Sequence, residues 1–278
     1  MSRAGKADRI ITDMSIPERF FQMKRQGRPI AVLTAYDAPS ARVQAEAGID
    51  LILVGDSVGT NVLGYRDERE VTLADILHHV RAVRRGAPEA AIAADLPYGT
   101  YETGAAAVAN AREIVAAGAN IVKFEGARPE IVAALKSAGI AVSGHLGLEP
   151  QHHAEKRLKG KTAGAAQQIL DSAVALDKAG LSLLILELIP EELAAAITKA
   201  VAAPTIGIGA GRGTDGQVLV ITDMLGTTGA NFRHNRRYAE IGQATRDAVA
   251  AYAADVRNRR FPGPENIFLM PKDELGAF

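Results

Sequence analysis

The sequence predicts a closed (β/α)8 barrel, on three observations. Eight short apolar runs alternate with Ala-rich segments of helical pattern, the runs are apolar on both faces, and the length of 278 residues sits close to the roughly 250 typical of one such barrel. The runs are 29–37 (PIAVLTAYD), 50–57 (DLILVGDS), 90–97 (AAIAADLP), 120–126 (NIVKFEG), 140–147 (IAVSGHLG), 181–188 (LSLLILEL), 204–211 (PTIGIGAG) and 216–223 (GQVLVITD). Between them, 104–117 (GAAAVANAREIVAA) shows a crossover helix in its apolar spacing and in the stop at Gly118.

A doubly wound sheet would place its Gly-rich nucleotide turn after the first strand. Here the first run ends in TAYDAPS, and the Gly-rich GIGAGRGTDG follows the seventh. That segment reads either as a binder of anionic groups through backbone N–H donors or as a tight turn that needs small residues. IPERFFQMKRQG, ahead of the first run, reads as a helix plugging the barrel floor; 235–259 reads as a long final helix with a tail behind it. The expected organisation is one domain over 1–278, with the barrel core at about 29–235 and the C-terminal helix and tail at about 236–278.

Composition removes several function classes. Lys plus Arg and Asp plus Glu both total 32, so no net field favours nucleic acid or an anionic membrane, and small-molecule ligands remain. The absence of Cys excludes disulfides, thiolate zinc sites and a cysteine nucleophile. The opening MSRAGKADRIITDMS has no apolar run long enough for a signal peptide, and no segment approaches the roughly 20 apolar residues that span a bilayer, so the expectation is a soluble, cytoplasmic protein.

The C-terminal ends of the runs carry Asp37, Asp56 with Ser57, Asp95, Lys123 with Glu125, His145, Glu187 and Asp223. In a barrel such ends converge on the mouth where catalytic groups sit. Lys123 and Glu125, at i and i+2, share a strand face, with Phe124 on the other. They read either as parts of a site or as a structural ion pair. Asp56, Asp95 and Glu125 come from successive strand ends and would not all ionise in one small mouth without a cation, and an all-oxygen set suits Mg²⁺. The pairs His78–His79 and His152–His153 are poor ligand pairs, since neighbours on a helix point apart. Glu187, the last polar group of a very apolar strand, reads as a general base or as a cap on the helix beginning near Pro190, with Pro190 in its first turn.

Taken together, TAYDA (34–38), LVGDSVG (53–59), VTLADILHHVRAVRRGAP (71–88), ADLPYGTY (94–101), ANIVKFEG (119–126), GHLGLEPQ (144–151), LLILELIP (183–190) and IGIGAGRGTDGQVLV (206–220) resemble the ketopantoate hydroxymethyltransferases. In fold that family resembles the phosphoenolpyruvate-mutase and isocitrate-lyase barrels. The resemblance implies hydroxymethyl transfer from 5,10-methylenetetrahydrofolate to 3-methyl-2-oxobutanoate, giving 2-dehydropantoate in pantothenate biosynthesis through a metal-stabilised enolate. By the same resemblance Asp56, Asp95 and Glu125 serve Mg²⁺ or another divalent cation, Glu125 directly or through water. Asp56, Ser57, Asp95, Lys123 and His145 hold the oxo acid, Glu187 is the base, and the chain forms a homo-oligomer, the family's usual assembly being a decamer.

Segments 65–71, 152–164 and 227–242 depart from the family pattern and bear on the oxo-acid or folate pocket. The alternatives are a diverged paralogue acting on a related 2-oxo acid, a superfamily lyase or mutase, and a non-catalytic binding barrel. Lyases of that group commonly use a catalytic Cys, which this chain lacks.

Overall fold

The computed structural model describes residues 14–153, 157–229 and 232–276. Most of the N-terminal stretch read for targeting, and parts of the divergent segments 152–164 and 227–242, therefore lie outside the described residues. The described residues form two compact units, one of residues 14–153, 157–221 and 232–235, the other of residues 222–229 and 236–276.

The first unit is the barrel. Strands β1 (Ile30–Thr34), β2 (Leu51–Val54), β3 (Ile92–Asp95), β4 (Ile121–Lys123), β5 (Val142–Gly147), β6 (Leu183–Glu187), β7 (Thr205–Ile208) and β8 (Gly216–Leu219) pair in parallel in chain order, and β8 closes on β1. Helices α1 (Ile16–Arg25), α2 (Ala38–Glu46), α3 (Leu73–Gly86), α4 (Gly104–Ala117), α5 (Pro129–Ser137), α6 (Ala163–Ala179) and α7 (Glu191–Ala200) precede and separate the strands. Each expected run contains one strand, and α4 ends at Gly118 with φ +123°, as its pattern predicts.

Strand alternation sorts the core into two layers. Ile52, Val54, Ile92, Ala94, Val122, Phe124, Leu184 and Leu186 face the helices. Ile30, Leu51, Leu53, Ala91, Ala93, Ile121, Leu183 and Ile185 fill the barrel interior, where Phe20 and Met23 of α1 join them as the expected floor plug. Small Ala91 and Ala93 sit among the larger Leu51, Leu53 and Ile121, the filling a closed barrel requires. Climbing β3, β4, β5 and β6 along their inward positions, apolar or small residues give way to Asp95, Lys123, His145 and Glu187.

Two strand-end expectations are corrected. Asp37 is exposed and caps α2, its Oδ1 accepting from Ser40 N–H at 2.7 Å. Asp223 is not on a strand: β8 stops at Leu219, and Asp223 lies in the short helix α8 (Ile221–Met224), bonded to Thr228 Oγ1 at 3.0 Å. The Gly-rich segment after β7 is a tight turn with Gly209 and Gly211 at positive φ, and Glu191 leaves no room for a side chain at Gly211.

In the second unit the final helix α9 spans Ile241–Arg257, starting later than the pattern suggested. Tyr238 N–H and Ile241 N–H donate instead to the carbonyls of Met224 and Leu225, which holds 236–240 out of the helix. Among the described residues no helix is long and apolar enough to cross a membrane.

Candidate active site

Asp95 and Lys123 are register partners across β3 and β4, and both point into the barrel. Lys123 Nζ donates to Asp95 Oδ2 at 2.8 Å, and both side chains are buried. The same Asp95 oxygen accepts from the backbone N–H of Asp56 at 3.1 Å, where the chain turns beyond β2. Lys123 is thus the partner of Asp95, and the ion pair that strand alternation offered with Glu125 is not the one formed. Part of the cation that the clustered carboxylates called for is supplied by the chain itself.

Glu125, two residues on and on the same face, reaches the next strand. Its Oε1 lies 3.2 Å from His145 Nδ1, and the other side of that ring, Nε2, lies 3.2 Å from Glu187 Oε2. Gln151, in the loop after β5, joins the two halves. Its backbone N–H donates to Glu125 Oε2 at 2.9 Å and its side-chain Nε2 to Asp56 Oδ2 at 2.7 Å. The result is one continuous polar chain: Lys123, Asp95, Asp56, Gln151, Glu125, His145, Glu187. Ser57 stands beside it with Oγ 2.8 Å from the Tyr36 hydroxyl. Of the strand-end groups read from the sequence, all but Ser57 and the two corrected above, Asp37 and Asp223, lie on this chain.

Burial and neighbouring charge set its electrostatics. Burial pushes the Asp56 carboxyl well up, and Asp95 beside it adds to the rise. Burial alone would lower Lys123, but the fields of Asp95, Asp56 and Glu125 raise it, so it stays charged. Burial would likewise raise Glu125, yet the His145 contact, the Lys123 charge and the Gln151 N–H bring it below its ordinary value. His145, disfavoured as a cation by burial, is lifted to about 9 by Glu125 and Glu187 on its two sides. Glu149, on the same loop as Gln151, is raised by burial to about 7.

Among the described residues, Asp95 Oδ1, Glu125 Oε1 and both His145 ring nitrogens lack a hydrogen-bond partner of good geometry; the 3.2 Å approaches to His145 are close but poorly aligned. Orphaned buried groups of this kind cost free energy unless something else meets them. No three acidic or histidine side chains among the described residues stand ready to hold an ion, and the carboxylates are bridged instead by Lys123 and Gln151. The donor set nonetheless fits a hard divalent cation: it is all oxygen, its acids outnumber its bases, and buried oxygens of Asp95 and Glu125 await a partner. The paired histidines do other work, with His79 Nδ1 on the Tyr36 carbonyl at 2.6 Å and His152 edge-on to Tyr98.

Glu187 does not cap the following helix. Pro190 takes the N-cap position of α7, one residue earlier than expected, and no side chain caps it. Sequence reasoning gave no role to Gln151, Tyr101 or Tyr36. A neutral amide in a loop carries no charge signal, and the only pointer was its place at the end of GHLGLEPQ.

Fold and mouth together define a class: a (β/α)8-barrel enzyme with acid–base groups gathered at the C-terminal ends of its strands. The ketopantoate hydroxymethyltransferase family model matches residues 15–264, and the chain belongs to that family. It is 45% identical over 284 residues to the 3-methyl-2-oxobutanoate hydroxymethyltransferase of Deinococcus radiodurans, covering 99% of this chain and 98% of that one. A further relative of that name, from a Roseiflexus species, is 48% identical over 262 residues, covering 91% of this chain and 94% of that one. In fold it is similar to a 2,3-dimethylmalate lyase of the phosphoenolpyruvate mutase and isocitrate lyase superfamily, at TM-score 0.56 and 15% identity, covering 95% of this chain and 94% of that one. The chain is a hydroxymethyltransferase of this family.

Two outcomes follow from the geometry. Lys123→Met strands the buried Asp95 carboxylate and should cost on the order of 3–5 kcal/mol in denaturant unfolding, most of it recovered in the double variant with Asp95→Asn. A loss below about 1 kcal/mol would show that the pair is not what holds the mouth. His145, raised from 6.5 to about 9, stabilises the metal-free protein fully below about pH 6.5, and that contribution fades as pH rises through about 9. The melting-temperature gap between wild type and His145→Gln should therefore narrow from pH 6 to pH 10, and a constant gap would contradict the charge assignment.

Proposed function

We propose that this chain transfers a hydroxymethyl group from 5,10-methylenetetrahydrofolate to 3-methyl-2-oxobutanoate, giving 2-dehydropantoate for pantothenate biosynthesis. The observation that carries the reading is the run of carboxylates Asp95, Asp56 and Glu125 ending in Glu187, joined through His145. The names borne by the full-length relatives support it.

Asp56 and Asp95, with Glu125 beside them or acting through water, are the residues that would hold Mg²⁺ or another divalent cation. Bound there, the cation supplies Lewis-acid polarisation of a 2-oxo acid, which acidifies the adjacent C–H. Lys123 contributes a fixed positive charge for the substrate carboxylate, and Ser57, oriented by Tyr36, contributes a hydroxyl. Glu187 takes the proton from C3. His145, between Glu187 and Glu125, orients that base and stabilises its charge. The electron pair left by the C–H bond forms the new bond to the one-carbon unit, the hydroxyl oxygen of one water joins the same carbon as its two C–N bonds break, and the two folate nitrogens take the water's proton and the proton held by Glu187 as tetrahydrofolate departs. The reading includes a cytoplasmic homo-oligomer, supported by apolar side chains exposed on the second unit, Phe268 and Leu269 among them.

In deuterated water with Mg²⁺ and 3-methyl-2-oxobutanoate, the wild type should erase the C3 proton signal, and with methylenetetrahydrofolate it should form 2-dehydropantoate. Glu187→Gln should bind the oxo acid nearly as well while exchange falls about 100-fold or more. Wild-type exchange in that variant would remove Glu187 as the base and point to His145.

A further inference from the structure

Gln151 is buried, and its backbone N–H, both side-chain N–H groups and its side-chain carbonyl are all hydrogen-bonded. Its backbone N–H bonds Glu125 Oε2 at 2.9 Å, and its side-chain NH₂ bonds Asp56 Oδ2 at 2.7 Å and the Leu96 carbonyl at 3.1 Å. Its side-chain carbonyl accepts from the Tyr101 hydroxyl. The amide orientation is fixed by chemistry: the Leu96 carbonyl can only accept, so it must face the NH₂ side, and the carbonyl is left for Tyr101. The backbone supports this reach. Gly147 has φ +105° and closes against the Glu187 carbonyl with no room for a side chain, while Leu148 N–H donates to the same carbonyl at 2.8 Å. The loop therefore folds back over the mouth and delivers Gln151 to the ends of β2, β3 and β4.

The consequence lies in which oxygens are taken. Asp95 is held through Oδ2, by Lys123 and the Asp56 N–H, and its Oδ1 has no partner. Glu125 is held through Oε2 by Gln151, and its Oε1 has no well-aligned hydrogen bond, only the 3.2 Å approach of His145 Nδ1. Asp56 is held through Oδ2, again by Gln151. Each carboxylate thus accepts well-aligned hydrogen bonds through one oxygen, and for two of the three the donor is Gln151.

We propose that Gln151 is a positioning residue that presents the remaining oxygens of Asp56 and Glu125 to a divalent cation, with Tyr101 locking its amide. This rests on the cation reading of the same carboxylates given above. A neutral amide suits the task because it orients the acids without adding a charge that competes with the ion. Groups that orient metal-binding side chains in this way typically matter about 10- to 100-fold in affinity.

The test uses Gln151→Met, close in size but without a donor, and Tyr101→Phe, which keeps both Gln151 donors to the carboxylates and removes the hydroxyl that meets the amide carbonyl and, at 3.4 Å, His152 Nε2. Mn²⁺ affinity is measured by calorimetry on the full-length protein without substrate, well below each melting temperature. Expected are about tenfold or more weaker binding in Gln151→Met and a smaller loss in the same direction in Tyr101→Phe. Wild-type Mn²⁺ affinity with a lowered melting temperature in Gln151→Met would mean packing alone and overturn the inference. Should that variant not fold, unchanged affinity in Tyr101→Phe overturns it equally. A wild type that binds no Mn²⁺ removes the cation reading and this inference with it, whereas a binding wild type with unaffected variants removes the inference only.

Discussion

Lys123 and Asp95 meet inside a closed barrel, away from water, and much of the mouth is organised around that contact. Neither charge would stay buried alone, since desolvation of a single ion costs several kcal/mol. Their pairing requires Lys123 and Asp95 to be register partners on adjacent strands, which fixes β3 against β4. The shared Asp95 oxygen then fixes Asp56 through its backbone, and Gln151 carries the order across to Glu125, His145 and Glu187. A shift of one residue in any of these strands would turn its polar group into the helix layer.

The same strands divide their labour along their length. Their lower inward positions, with Phe20 and Met23 from α1, form a buried apolar plug. Their upper positions hold charges that are costly to bury and only partly satisfied, as Asp95 Oδ1 and Glu125 Oε1, without well-aligned hydrogen bonds, show. Stability is generated at the floor and spent at the mouth, an arrangement suited to a site preorganised for a ligand that brings its own compensating groups.

Much of this was legible in the sequence because it follows from alternation and from charge. Eight apolar runs gave eight strands, and polar residues closing them, Asp95, Lys123, His145 and Glu187, proved to be inward-facing. What failed did so for local reasons. Asp37 and Asp223 end apolar runs, yet one run has already turned into a helix cap and the other into a helix, a boundary that composition does not mark. The Lys123–Asp95 pair is not legible because a neighbour in sequence is visible in a string and a neighbour across strands is not. Gln151 was missed for a related reason: its importance lies in four hydrogen bonds to distant residues, and nothing in a lone loop glutamine announces them.

The central question is whether the carboxylates of the mouth take a cation while Lys123 keeps its hold on Asp95. The direct measurement is anomalous diffraction from crystals of the protein soaked in Mn²⁺. The expected result is a single strong manganese peak at the barrel mouth against Asp56 and Asp95, with Asp95 Oδ2 still bonded to Lys123. Manganese bound only elsewhere on the molecule, or a mouth left empty at saturating Mn²⁺, would contradict it.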